Sequence, residues 1–135
     1  MKKRVLLVDD EESFTRILKL NLERTGQYEV RTENWGGAAA TAAREFKPHI
    51  LLLDIIMPQM FGGDVAAQFK NDPELRHIPI VFLSAVVKPT RVKEHDGIIG
   101  GYPIIAKPAS LDAVIEGIEK HTRPLDSPPE KPAGS

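Results

Sequence analysis

The sequence predicts an α/β protein with a doubly wound, five-stranded parallel sheet, and three observations carry that prediction. Short apolar runs alternate with stretches of helical periodicity along most of the chain. Their order is strand, helix, strand, helix, strand, helix, strand, a weak segment, strand, helix; strands separated by helices run parallel, with right-handed crossovers placing helices on both faces. The chain has 135 residues, 41% of them hydrophobic, which is one domain's worth with ample material for a single core.

The first strand is RVLLV at Arg4–Val8, and it runs into four consecutive acids, Asp9 to Glu12. Acids at a helix start complement the positive end of the macrodipole, and Ser13 is placed to cap a helix over Ser13–Thr25. On that helix Phe14, Ile17, Leu18 and Leu22 share one face, while Leu20 points away from it and is a candidate partner contact. YEVRTE (28–33) is a more polar second strand, followed by a helix over Gly37–Phe46 with its alanine run. The third strand is Ile50–Asp54, and Gly62 and Gly63 then serve the turn into a helix over Gly63–Asn71. IPIVFLS (78–84) is the fourth strand and YPIIA (102–106) the fifth. The last helix is Ser110–His121, where Leu111, Val114, Ile115 and Ile118 recur at helical spacing. Between the fourth and fifth strands, Pro89, Gly97, Gly100 and Gly101 oppose a long helix, so Val86–Gly101 is expected to be short or mobile. From Pro124 onward the chain has four prolines and almost nothing apolar. The organisation is therefore a folded domain over 1–122 and a disordered, Pro-rich tail or linker stub over 123–135.

Charge and composition exclude several functions. Eighteen lysines and arginines nearly balance nineteen aspartates and glutamates, so no global field recruits nucleic acid or an acidic membrane surface. There is no cysteine, hence no disulfide, thiol catalysis or cysteine-ligated metal. Lys2-Lys3-Arg4 resembles the charged end of a signal peptide, but the apolar run behind it is only four residues long, and a cytoplasmic location is expected.

In an open parallel sheet, ligands bind beyond the carboxyl ends of the strands, near the point where strand order reverses. Strand one ends in Asp9 and Asp10, strand three in Asp54, strand four in Ser84 and strand five in Lys107. With the order 2-1-3-4-5, strands one and three are neighbours and three carboxylates converge. Such a cluster calls for a hard divalent cation, and all-oxygen ligands suit Mg²⁺ or Mn²⁺. Lys107 and Ser84 supply a point charge and a hydroxyl on the other side of Asp54, which fits a phosphoryl group held between metal and lysine.

VDDEE, LLLDIIMPQMFGG, FLSA and IIAKP, in that order, resemble the receiver domain of two-component response regulators, of the single-domain chemotaxis-regulator kind with a flavodoxin-like fold. The resemblance spans about residues 3–122. It implies that Asp54 is a phosphoacceptor, a nucleophile that forms an acyl phosphate. It also implies that Asp9, Asp10, Asp54 and the backbone carbonyl of Ile56 hold the metal, that Ser84 and Lys107 engage the phosphoryl group, and that the Lys107-Pro108 peptide is cis. The implied donor is a phosphohistidine on a sensor histidine kinase or a histidine phosphotransfer protein, docking near the first helix. The chain is then a signalling domain and not a conventional enzyme, with the downstream protein and any homodimer formed on phosphorylation left open.

Three departures from the family pattern stand out. Ile104 occupies a usually aromatic switch position, and Tyr102 lies on the same strand face one pleat earlier. The weak segment falls where a fourth helix belongs. Ile56 and Val86, two residues beyond Asp54 and Ser84, are apolar where the family positions hydrolytic water, so slow dephosphorylation is expected. Lys88-Pro89 is a second KP pair that ranks below Lys107. His49, His77, His95 and His121 lack paired ligand spacing and read as surface residues, Met57 and Met60 as packing and turn residues, and Trp35 as a loop residue. Among rivals, a haloacid-dehalogenase-type phosphatase needs a D-x-D motif that DDEE does not supply, and an FMN carrier needs a phosphate cradle where the acids stand. A receiver-shaped interaction module that works without phosphorylation is the remaining alternative, kept alive by Ile104.

Overall fold

The computed structural model describes residues 1–85, 98–99, 101–107 and 109–125. The expectations for the weak segment over 86–97, for Lys88-Pro89 and His95, for the Lys107-Pro108 peptide and for the tail over 126–135 lie outside the described residues.

The elements are β1 (Lys3–Val8), α1 (Glu12–Arg24), β2 (Tyr28–Glu33), a 3₁₀ turn (Gly36–Ala38), α2 (Ala39–Phe46), β3 (Ile50–Asp54), α3 (Gly62–Lys70), β4 (Ile80–Ser84), β5 (Ile98–Ile99), β6 (Tyr102–Ala106) and α4 (Leu111–His121). They form one sheet in the order β2-β1-β3-β4-β6-β5. The five longer strands are parallel and reproduce the expected 2-1-3-4-5 order. The addition is β5, which pairs antiparallel with β6 through Ile98 with Pro103 and Ile99 with Tyr102. Gly101, at φ 85°, supplies the positive φ for the chain reversal between them. Two residues of the segment expected to be short or mobile, Ile98 and Ile99, thus form an edge strand.

Continuous apolar runs form the central strands because both faces are covered. Alternate residues then sort into two cores. Leu6, Val8, Leu51, Leu53 and Phe82 pack with Ala39, Ala42, Val65 and Phe69 of α2 and α3. Val5, Leu7, Ile50, Leu52, Val81 and Leu83 pack with Leu18 and Leu22 of α1 and Val114 and Ile118 of α4. Met57 is buried and Met60 packs against the first core, while Trp35 is exposed at the cap of the 3₁₀ turn.

Two details of α1 differ from expectation. The helix starts at Glu12, so Ser13 lies inside it and is not the cap. The backbone N–H of Glu11 instead donates to Asp9 Oδ1 at 3.0 Å, an acid turning the chain where a hydroxyl was expected to. Leu20 is exposed as expected, but so is Ile17; Leu18, Leu22 and the buried Thr15 form the inward stripe. Ser110 does cap α4, its Oγ accepting from the Ala113 N–H at 3.1 Å.

Candidate functional site

The strand ends deliver the site. β1 pairs with β3 through Val8 and Leu53, which sets Asp9 beside Asp54. β4 pairs with β6 through Ser84 and Ala106, which sets Lys107 one residue beyond, its N–H donating to the Ser84 carbonyl at 2.8 Å. One carboxylate oxygen from each of Asp9, Asp10 and Asp54 lies within 4.8 Å of the others. Asp9, Asp54 and Ser84 are buried and Asp10 is exposed, so the cluster has a wall of protein and a mouth to solvent. Ile56, two residues beyond Asp54, has half its surface exposed.

Asp9 is the most firmly held member. Its backbone N–H donates to the Glu33 carbonyl at 3.1 Å, and its own carbonyl accepts from Asn34 Nδ2 at 2.7 Å. The same Asn34 nitrogen donates to Thr15 Oγ1 at 3.0 Å, tying β1, α1 and the loop after β2 together. Neither Asn34 nor Thr15 was singled out from the sequence; a lone asparagine after a strand carries no local signal of what it reaches.

Lys107 balances part of the charge. Its ammonium pairs with Asp9 Oδ2 and lies 4.0 Å from Asp54 Oδ1, with the side chain only 10% exposed. It also sits 4.2 Å from the centroid of the Phe14 ring. One ammonium does not neutralise three carboxylates, and Asp54 shows the deficit. Its carboxyl is pushed up to about 6, first by burial and then by the negative charge of Asp9, with Asp10 adding to the rise and Lys107 opposing it. An oxygen-only donor set with excess negative charge and one exposed carboxylate fits a hard, hydrated divalent cation.

Ile104 is buried in the core against α2 and α3. Tyr102 packs on the same core, its ring edge-on to Phe82 at 5.2 Å between centroids and 78° between planes. The two residues do share a face, as the strand pattern implies.

An open parallel sheet with an acidic cluster and a lysine gathered at its carboxyl edge defines a receiver-type signalling module. The model of the response regulator receiver domain matches residues 5–119, and the chain belongs to that family. It is 34% identical to the polar-differentiation response regulator DivK of Brucella anthropi over 122 residues, 90% of this chain and 97% of that one. DivK of Brucella abortus (strain S19) matches with the same identity and coverage. Among solved structures, the chemotaxis protein CheY4 of Vibrio cholerae superposes with a TM-score of 0.75 at 23% identity, covering 90% of this chain and 99% of that one. The N-terminal domain of a response regulator receiver protein from Methanoculleus marisnigri JR1 does so with 0.65 at 32% identity, covering 87% and 94%. The chain is thus a signalling domain of two-component systems and not a conventional enzyme. Among the described residues no helix is long and apolar enough to cross a membrane.

Proposed function

We propose that this receiver accepts a phosphoryl group on Asp54 from a phosphohistidine of a sensor kinase or a histidine phosphotransfer protein, and that the acyl phosphate changes its affinity for a protein partner. The observation that carries the reading is the convergence of Asp9, Asp10 and Asp54, with a nearly enclosed Lys107 against Asp9 and Asp54. In the transfer, an Asp54 carboxylate oxygen attacks phosphorus, the P–N bond to the donor imidazole breaks, and the imidazole leaves with the bonding pair. With acetyl phosphate the broken bond is P–O and acetate leaves. Asp9, Asp10, Asp54 and the Ile56 carbonyl would hold Mg²⁺ or Mn²⁺, which when bound neutralises charge on the transferring oxygens. Lys107 pairs with a phosphoryl oxygen from the other side, and the Ser84 hydroxyl donates to another.

The domain proposed for this role is 1–122, in a cytoplasmic protein with no direct contact to nucleic acid or membrane. A groove of about 450 Å³ beside the site suits the donor. Phe14, Ile17 and Leu18 of α1 form one wall, with Ala109 and Leu111 at the start of α4 opposite. This gives the exposed Ile17 a use as a docking contact, alongside Leu20 one helical turn away.

The test is intact-mass spectrometry after incubation with acetyl phosphate and Mg²⁺, and separately with a phosphorylated phosphotransfer protein. A single adduct that chelator prevents and Asp54→Ala abolishes is expected. No adduct from either donor would leave the phosphorylation-independent interaction module, in which Ile104 replaces a switch ring, as the function. The same adduct times hydrolysis: Ile56→Asn, which puts a water-orienting amide two residues beyond Asp54, is expected to shorten the half-life severalfold.

A further inference from the structure

We propose that Phe14 is a positioning residue of the phosphorylation site, its ring holding the Lys107 ammonium ready for a phosphoryl oxygen without neutralising it. The proposal rests on the reading of Asp54 as phosphoacceptor and adds a residue to it.

Among the described residues, three groups surround Lys107 Nζ: the Asp9 carboxylate, Asp54 Oδ1 at 4.0 Å and the face of Phe14 at 4.2 Å from the ring centroid. The ring lies well within the distance at which a cation is attracted by an aromatic quadrupole. The first two groups are carboxylates of the cluster that fits a metal ion. A cation bound there draws on the same negative charge that now pairs the lysine, and Phe14 is the partner left unaffected. A ring also has a property that a third carboxylate would lack. It attracts the ammonium without carrying a formal charge, so it does not compete with an incoming phosphoryl group for the ion pair.

Phe14 is itself fixed in the first turn of α1, across from the end of β6. Half-buried, with the Lys107 side chain only 10% exposed, it confines a long and otherwise mobile side chain. The ring also walls the groove beside Ile17 and Leu18, so one residue belongs both to the docking surface and to the cation that meets the phosphate.

The experiment replaces Phe14 in the full chain with mono-, di- and trifluorinated phenylalanine, which keep its shape while weakening the negative face of the ring. The initial rate of adduct formation from acetyl phosphate at saturating Mg²⁺ is expected to fall progressively along the series. It should reach about three- to tenfold below the parent for the trifluorinated ring and for Phe14→Leu, and Phe14→Tyr should restore it. Acetyl phosphate needs no docking surface, so loss of the groove does not mimic this result. A flat series overturns the proposal. In metal-free protein, Phe14→Leu should move the Lys107 ε-methylene NMR resonances toward those of a free lysine, with the thermal midpoint of each variant recorded alongside. Resonances that stay in place overturn the ring contact even if the adduct forms. If the parent forms no adduct from acetyl phosphate or from a phosphorylated phosphotransfer protein, the phosphoacceptor reading falls and the proposed role falls with it, whatever the resonances show.

Discussion

At the carboxyl end of the strands one oxygen from each of three carboxylates lies within 4.8 Å of the others, and one ammonium stands against two of them. At the amino end Arg4, Arg44, Lys47, His49, His77 and His121 line a cavity of about 910 Å³. The helices run antiparallel to the strands, so their N-termini face the first end and their C-termini the second; acids and bases are distributed as the macrodipoles favour. What differs is how the charge is partnered. Arg4 Nε donates to the carbonyls of Phe46 and Lys47 at the end of α2, at 3.0 and 2.8 Å. Arg44 pairs with Asp72, and its Nε lies 3.8 Å from Glu74. The buried Lys3 donates to both oxygens of Glu119, at 2.9 and 3.0 Å, and the buried Tyr28 hydroxyl donates to one of them at 2.7 Å. His49, read from sequence as a surface residue, is half-buried and accepts the Arg4 N–H on Nδ1 at 2.8 Å. Burial, with Arg4 and Lys3 nearby, holds its pKa below the ordinary value. Among the described residues, positive charge at this end caps helices and ties strands, whereas negative charge at the other end exceeds its partners. The surplus marks the site.

Removing the surplus should have the largest effect. Asp54 titrates near 6 in the fold against 3.8 unfolded, so its penalty is absent below 3.8 and complete above about 6. Metal-free protein therefore loses stability as pH rises through that window. Asp54→Asn should raise stability at pH 7 by about 2–3 kcal/mol and flatten the profile. Thermal melts with and without Mg²⁺ check this: added Mg²⁺ should stabilise the parent and erase the advantage. An advantage that Mg²⁺ leaves intact would mean that the carboxylates are not its ligands.

The matching break at the amino end has the opposite sign. Glu119→Ala leaves the Lys3 ammonium buried without its carboxylate and removes the acceptor of Tyr28. Because Glu119 is itself half exposed, a loss of about 1–2 kcal/mol is expected in urea denaturation, with phosphorylation from acetyl phosphate unchanged. A gain in stability would show that this end, too, carries unbalanced charge.

Adjacent glycines at the start of α3 sharpen the contrast more finely. A Cβ on Gly62 would lie 2.4 Å from the Asp54 carbonyl oxygen and 2.9 Å from Ile55 Cα, both backbone atoms, whereas one on Gly63 meets nothing within 4 Å. Gly62→Ala should cost about 1 kcal/mol or more and slow adduct formation by displacing the Asp54 loop. Gly63→Ala should gain up to about 0.5 kcal/mol through helix propensity and leave the rate alone. Paired melts and rate measurements on the two variants decide it.

Much of this was legible in one dimension because its causes are local. Unbroken apolar runs such as Ile50–Leu53 mark strands covered on both sides, and the helical recurrence of Val114 and Ile118 marks a packed face. Asp9, Asp54, Ser84 and Lys107 stand out because each follows such a run directly, and the parallel order places all four at one edge. Ser13 misled because a hydroxyl is the usual cap, yet the Asp9 side chain already held the turn. Ile17 misled because helical periodicity does not report that the stripe it belongs to is wider than the surface covering it. The glycines near residue 100 gave no hint of an edge strand, since a two-residue pairing leaves no period to read.

The sequence by itself therefore determined the element order, the two-sided burial of the sheet and the residue types at the strand ends, because these follow from side-chain periodicity and chain connectivity. Tertiary structure decided which charges are satisfied. Lys107 meets Asp9 across 98 residues of chain, Glu119 meets Lys3 across 116, and the Phe14 ring meets Lys107 across the gap between α1 and β6. Such pairings depend on register and helix placement, which set distances between residues far apart in the chain. Distance and burial then decide whether a charge stabilises a helix end or is left to bind a ligand.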